Sequence, residues 1–360
     1  MPFRSSLARS AGKLLGVFKE ADLSLRGGVQ SSRLPGPSAI SASGGTKIPS
    51  GGNIYHVFSF PNSDDFVVSS GNDTVEVLVI AGGGGGATQH GAGAGAGGAL
   101  HHPALSVSAG TYTVTVGGGG AGALSGPGPG NGTATYGASG GNSYFGPPSS
   151  PAGLTADGGG GAFPLGRSGS GSVQPLVYQN APPGSDPYQG AGLPGGSGGS
   201  TGDEPGKPGG ASTQNPMNGA TGYGNAGQDA PGAPGYDAGG GGGAGNTSPT
   251  LGQGGDGQPF TNFPGPVIGP GVPSPLRPAF QSAVGPTGLF GGGGGRGSEG
   301  GGQELPGGPG GGGDGASGSN PGTNGGAAIY GTGGGGGGSS GYGATGGAGG
   351  SGIVVIKYSV

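Results

Sequence analysis

The apolar positions of this chain cluster into short β-branched runs separated by long stretches that have almost no side chains. Val75-Glu76-Val77-Leu78-Val79-Ile80 is a nearly continuous apolar run ending at Gly82–Gly86, and Ile353-Val354-Val355-Ile356 follows Gly349-Gly350. Runs of this kind, apolar on both sides of the pleat, predict strands covered on both faces. Ile54–Phe60 alternates loosely and predicts a further strand. Pro61–Asp65 has the composition of a turn, and Phe66–Ser70 then reads as the return strand. Ala104–Ser108 and Thr111–Val116, joined at Ala109-Gly110, read as a β-hairpin, and Asn142–Phe145 as a shorter strand. The last strand predicted is Ile353–Tyr358. The two opening runs are expected to lie in one small β unit, closing a loop of roughly 270 residues between them.

Near the N-terminus the period changes from two to 3.6. Leu7, Ala11, Leu14, Leu15 and Phe18 fall on one stripe of a helix predicted over residues 5–20, with Ser5 or Ser6 as cap and Arg9 and Lys13 off the stripe. Gly12 and Gly16 weaken it, so it needs a surface to dock on. A docking arm onto another protein is the preferred reading. An organelle transit peptide and a membrane-surface helix remain alternatives.

Composition changes what lies between the strands. The 108 glycines and 34 prolines together make 142 of 360 residues, a level normally associated with disorder. Collagen is excluded, because glycine comes in blocks such as Gly291–Gly295 and Gly333–Gly338 and not at every third position. Disorder usually combines low hydrophobicity with high charge, yet only 8% of residues are charged and the net charge is −4. An uncharged glycine chain can collapse on its own backbone hydrogen bonds, so order is expected, completed by partners. From 146 to 290 proline becomes dense, which excludes continuous sheet and predicts extended left-handed segments joined by turns.

The charge is unevenly placed. Arg4, Arg9, Lys13, Lys19, Arg26, Arg33 and Lys47 against Glu20 and Asp22 give residues 1–48 a net +5, which leaves about −9 on the rest. These features divide the chain into an N-terminal arm (1–33), a linker (34–52), a β unit with the first glycine blocks (53–145), a Pro/Gly-rich variable region (146–290) and a glycine-rich segment with the closing strand (291–360). The fold class expected is mainly β: a small β-sandwich-like unit closed by the C-terminal strand, enclosing a glycine-rich body, with a short helical arm.

Candidate chemistry is sparse. G-x-G-x-x-G patterns arise from glycine abundance alone, and there is no G-x-x-x-x-G-K-[ST], so nucleotide and nucleic-acid binding are not expected. Cysteine is absent, and no apolar run is long enough to span a membrane. His90 and the His101-His102 pair flank one glycine block, but adjacent histidines of a strand point to opposite faces, and no metal or cofactor is expected. Asp64-Asp65 reads as turn chemistry, and no catalytic residue is assigned. Among the aromatics of the later regions, Tyr188 and Tyr223 have only polar, Gly and Pro neighbours and are the candidates for stacking on a receptor. The remainder are expected to pin loops in small apolar clusters.

Val75–Gly86, Thr111–Gly120, Gly140-Gly141-Asn142-Ser143 and the ending Gly350–Tyr358 resemble a glycine-rich domain of bacteriophage tail fibres and related virion proteins. Phe3–Ser32, with Arg4–Ser10 and Leu23–Gly27, resembles the leader of structural proteins from cyanobacterial phages. The resemblance implies a non-enzymatic virion appendage, attached to other virion proteins through its arm and contacting a host surface receptor or polysaccharide. It also implies glycine runs packed as polyglycine II helices flanked by variable loops. A passive surface fibre or a Gly/Pro-rich matrix-type protein is the alternative. A body with a small core gains most from sharing hydrogen-bonding surfaces, so a homotrimer is expected.

Overall fold

A computed structural model describes residues 38–61, 63–124, 136–147, 153–163, 191–202, 206–230, 238–298, 304–318, 322–341 and 343–360. Leu7, Ala11, Leu14, Leu15, Phe18 and Tyr188 lie outside the described residues.

The described chain is mainly β. Its strands are β1 (Ser38–Ser43), β2 (Thr46–Ser50), β3 (Asn53–Phe58), β4 (Ser63–Ile80), β5 (Ala99–Thr115), β6 (Ser143–Gly146), β7 (Leu154–Ala156), β8 (Thr221–Tyr223), β9 (Gln258–Pro259), β10 (Leu289–Phe290) and β11 (Ile353–Ser359). One sheet runs β2-β3-β11-β4-β5-β6-β7, with β1 alongside β4 and β8 alongside β5. The final strand enters the middle of this sheet. It is antiparallel to β4 through Ile353↔Ile80 and Val355↔Leu78, and to β3 through Val354↔Phe58 and Tyr358↔Ile54. The two apolar runs are neighbours, and a central strand buried on both faces must be apolar throughout.

Alternation along β4 sorts its side chains into two cores. Val75, Val77 and Val79 join Phe66, Leu100, Val114, Phe145, Leu154, Val354 and Ile356 on one face. Ile40 of β1 and Leu154 of β7 share that cluster, so the sheet curves around it. The sandwich-like arrangement comes from one curved sheet. On the other face Leu78, Ile80, Ile353 and Val355 pack against Phe263, Ile268, Phe280, Val284 and Phe290. These come from a small helical insertion, α1 (Gly265–Ile268) and α2 (Arg277–Val284), with the two-stranded β9–β10 pair.

Four expectations need correction. Residues 38–50, expected within the linker, form β1 and β2. The stretch expected as a turn at 61–65 is already strand from Ser63, and Phe66–Ser70 does not return along β3: it is part of an 18-residue β4 that pairs with β5. The hairpin at Ala109-Gly110 does not exist, because β5 runs through it with Val68↔Gly110 in register. An irregularity between Val68 and Asn72 absorbs the poor strand formers on both sides. Finally, the proline-dense stretch 264–284 contains the two short helices α1 and α2. A proline occupies the first or second position of each helix, where its missing N–H costs no intrahelical bond.

Candidate functional site

The glycine runs leave the sheet as extended segments whose partners change with every residue. Gly82 and Gly85 donate to the carbonyls of Gly141 and Ala138 (3.0 and 2.8 Å), and Gly83 and Gly86 to Gly350 and Gly347 (2.9 and 2.8 Å). Ala81, Gly84 and Ala87 donate to Gly98, Gly95 and Ala92 (3.0, 2.9 and 3.2 Å). Each neighbour recurs every third residue, whereas a strand would alternate between two neighbours. The backbone is therefore a threefold helix without internal hydrogen bonds, of the polyproline II type built from glycine. Most neighbours are antiparallel, since the donor number rises as the acceptor number falls.

A second group is parallel and cyclic. Gly292, Gly295 and Ser298 donate to Gly310, Gly313 and Ala316; Gly313 and Ala316 donate to Gly335 and Gly338; and Gly335 and Gly338 donate back to Gly292 and Gly295, all within 2.8–3.2 Å. Three segments of one chain close a ring of hydrogen bonds. Such helices approach closely only where no Cβ intervenes. A Cβ added to Gly83, Gly85 or Gly86 would fall on the carbonyl oxygen of Gly334, Ala121 or Gly337 respectively.

Inside the lattice the side chains are small and buried, as in the cluster of Ala87, Ala92, Ala94, Ala162 and Ala238, whereas its outer segments expose theirs. In the outermost segments, Gly118, Ala121 and Leu124 share one row at threefold spacing, and so do Thr345 and Ala348, and Asn324 and Ala327. Ala121, Leu124, Ala348, Asn324 and Ala327 are exposed. A Cβ on Gly118 would meet nothing nearer than Pro61 Cβ at 3.9 Å. Cβ atoms along these rows keep a further threefold helix from packing on, as charged or kinked edges protect a sheet.

Polar side chains complete the lattice where the backbone departs from it. The Gln228 amide donates to the carbonyls of Ser248 and Thr250 (2.7 and 2.8 Å) and accepts from the N–H groups of Gly240 and Gly252 (2.8 and 2.7 Å). Ser143 Oγ accepts from Gly117 N–H at 2.9 Å and donates to the Ile80 carbonyl at 2.8 Å, joining sheet to lattice. Buried backbone groups are thus satisfied without a conventional core.

A charged cluster fastens the sheet to the helical insertion. Glu76 accepts hydrogen bonds from His101 Nε2 at 2.9 Å, Asn262 Nδ2 at 2.8 Å and Lys357 Nζ at 3.0 Å. Burial alone would raise its pKa, but these bonds outweigh it and hold the carboxyl at about 2. Glu76 and Lys357 stand opposite each other in the β4–β11 register. The lone acid in one apolar run and the lone base in the other were the sequence signal for this cluster. In the curved core, His56 is fully buried, with Nδ1 2.7 Å from the Gly44 carbonyl and Nε2 3.2 Å from Tyr358 Oη. Its burial lowers its pKa, as does the nearby Lys47.

Tyr223 is half-buried in β8 and meets Phe260 edge-on at 5.3 Å. Phe260, Phe263, Phe280 and Phe290 form the aromatic cluster over the sheet. His101 and His102 diverge as expected, His101 to Glu76 and His102 to the hairpin at Asn218-Gly219. His90 stands at the far turn of its glycine segment in the left-handed region, φ 56°. Among the described residues no group of three His, Cys, Asp or Glu side chains is placed to hold a metal ion, and no helix is long and apolar enough to cross a membrane.

Segments that leave the sheet reverse at the opposite end of the lattice. The chain turns there at 88–90 and returns to β5. The described segments that end at 124, 163, 230, 298 and 318 run away from the sheet, and those that begin at 136, 191, 238, 304 and 322 run back toward it. The antiparallel pairs Gly85→Ala138 and Gly86→Gly347 fix these directions. Among curated proteins none matches the chain. A family model described as a glycine-rich domain matches residues 62–359, from the start of β4 to the end of β11. The chain belongs to this glycine-rich domain family.

Proposed function

We propose that this protein is a non-enzymatic structural component of a bacteriophage virion, of tail-fibre or adhesin type. Its N-terminal arm attaches to other virion proteins, and its lattice carries the far-end connections to the host surface. The observation that carries this reading is the separation of the two ends. The sheet gathers the strand termini at one end, while the segments flanking the long Gly/Pro-rich connections end and begin at the other. A lattice held by hydrogen bonds between the backbones of its own segments places few demands on the sequence that connects them. Segments anchored this way lose little further entropy on binding a receptor.

The net +5 of residues 1–48 against an acidic remainder supports an arm with a different partner from the body. A homotrimer fits a fibre-like appendage. The test is made on particles. With residues 1–33 deleted, the protein should be missing from purified virions, and antibodies against 164–190 should block host adsorption while leaving assembly intact. Retention of the truncated protein on particles would overturn the docking role. Unchanged adsorption under antibody would leave a passive surface fibre as the reading.

A further inference from the structure

At the sheet end, a cleft of about 680 Å³ opens between the β3–β4 connection, the β1–β2 corner and the helical insertion. Its floor is the mouth of the curved core, Val114 and Val116. Phe60 forms one wall and is 70% exposed, whereas the aromatic rings of the two cores are buried or half-buried. Pro270 and Pro273 form the facing wall.

The polar groups around it are of two kinds. Some are committed to the fold. Ser59 Oγ donates to the Gly271 carbonyl at 2.8 Å, tying the two walls together, and Arg277 Nη2 donates to the carbonyls of Pro270 and Val272 at 3.1 and 3.3 Å. Others are available. Asp64 Oδ1 accepts from the Asp65 N–H at 2.8 Å, and among the described residues its Oδ2 and the second terminal nitrogen of Arg277 have no partner. The cleft therefore presents a flat aromatic face, a carboxylate acceptor and a guanidinium donor whose plane is fixed by two backbone carbonyls.

We propose that this cleft binds a saccharide. A pyranose ring offers an apolar C–H face and an equatorial rim of hydroxyls that both donate and accept. Phe60 suits the first, and Asp64 and Arg277 suit the second through charge-assisted hydrogen bonds. The volume matches a ligand of disaccharide size. A lining this polar, with a single exposed ring, is poorly matched to an apolar ligand. The cleft is lined by residues of the sheet and the helical insertion and by none of the long connections, so the inference is independent of the host-contact reading and survives its failure.

The test is saturation-transfer difference NMR on the full chain with neutral disaccharides: cellobiose, maltose and diacetylchitobiose. At least one should show a saturable effect. Its dissociation constant should rise at least tenfold in Phe60→Ala and in Asp64→Asn, with melting temperatures unchanged because both side chains are exposed. No saturable effect from any of the three sugars would overturn the proposal. So would binding that is unchanged in both variants.

Discussion

At the scale of single residues, the same amino acid has opposite mutational consequences depending on its row. A methyl group on Gly83 would occupy the space of the Gly334 carbonyl oxygen, and backbone cannot rotate away as a side chain can. Gly83→Ala should therefore destabilise by about 3 kcal/mol or more. Gly118 has open space at the Cβ position and no positive φ. Gly118→Ala should be neutral or stabilise by about 0.5 kcal/mol through a less flexible unfolded chain. Denaturant unfolding of the two variants checks the pair.

Two titratable residues of the cores, His56 and Glu76, contribute to the fold's acid sensitivity. His56 has a lowered pKa, so its contribution is complete above 6.5 and declines as pH falls through the lowered folded value. Glu76 is also lowered, from 4.5 to about 2, so its contribution is complete above 4.5 and lost as pH falls toward 2. That shift corresponds to about 3 kcal/mol. Melting temperature should fall on acidification, and the drop between pH 4.5 and 2 should be much smaller in Glu76→Gln, which is already less stable at pH 7. A Glu76→Gln profile parallel to that of the parent would contradict the assigned role. Glu76 is visible in the sequence as the lone acid of its apolar run, but its partner Asn262 is not, and nothing in the sequence marks His56, whose burial and contact with Tyr358 come from the fold.

Among the elements, the apolar runs were readable and their connections were not. Val75–Ile80 and Ile353–Ile356 could be identified as strands of one β unit covered on both faces, because both lack polar alternation, and the fold makes them neighbours. The β5 strand was misread at Ala109-Gly110, because turn-forming residues are tolerated in a strand when an irregular partner lies opposite. Proline density predicts extended backbone, and the fold replaces it here with a helical insertion. A proline at the start of a helix and one inside an extended run look alike in sequence. What places α2 is Phe280 and Val284 facing the outer side of β4 and β11, where Leu78 and Val355 wait. Truncating the fully buried Phe280 to Ala should cost about 3–5 kcal/mol and loosen α2 first. Amide exchange in 277–284 compared with 353–359 reads this directly.

For the whole molecule, composition showed that glycine had to pack through backbone, and the strand pair showed that the body was closed. Which run faces which was not legible. Consecutive glycines are interchangeable in sequence, and register is set by the flanking strands and by polar side chains such as Gln228 and Ser143. Even the boundary of the lattice is written in small residues, Ala121, Ala348 and Ala327, whose meaning depends on the row they occupy. The candidate site was therefore legible as a kind of material, and its direction, with the sheet at one end and the segment ends at the other, required the fold.

The central claim is that the glycine runs are hydrogen-bonded threefold helices as ordered as the sheet. Hydrogen–deuterium exchange of the full chain, resolved over Gly82–Gly86 and Gly333–Gly338, tests it most directly. Apart from Gly334, whose N–H donates to Thr332 Oγ1, those amides donate to carbonyls at 2.8–3.0 Å and should exchange as slowly as those of β4, opening only with global unfolding. Exchange at the rate of an unstructured glycine chain, with β4 still protected, would contradict it.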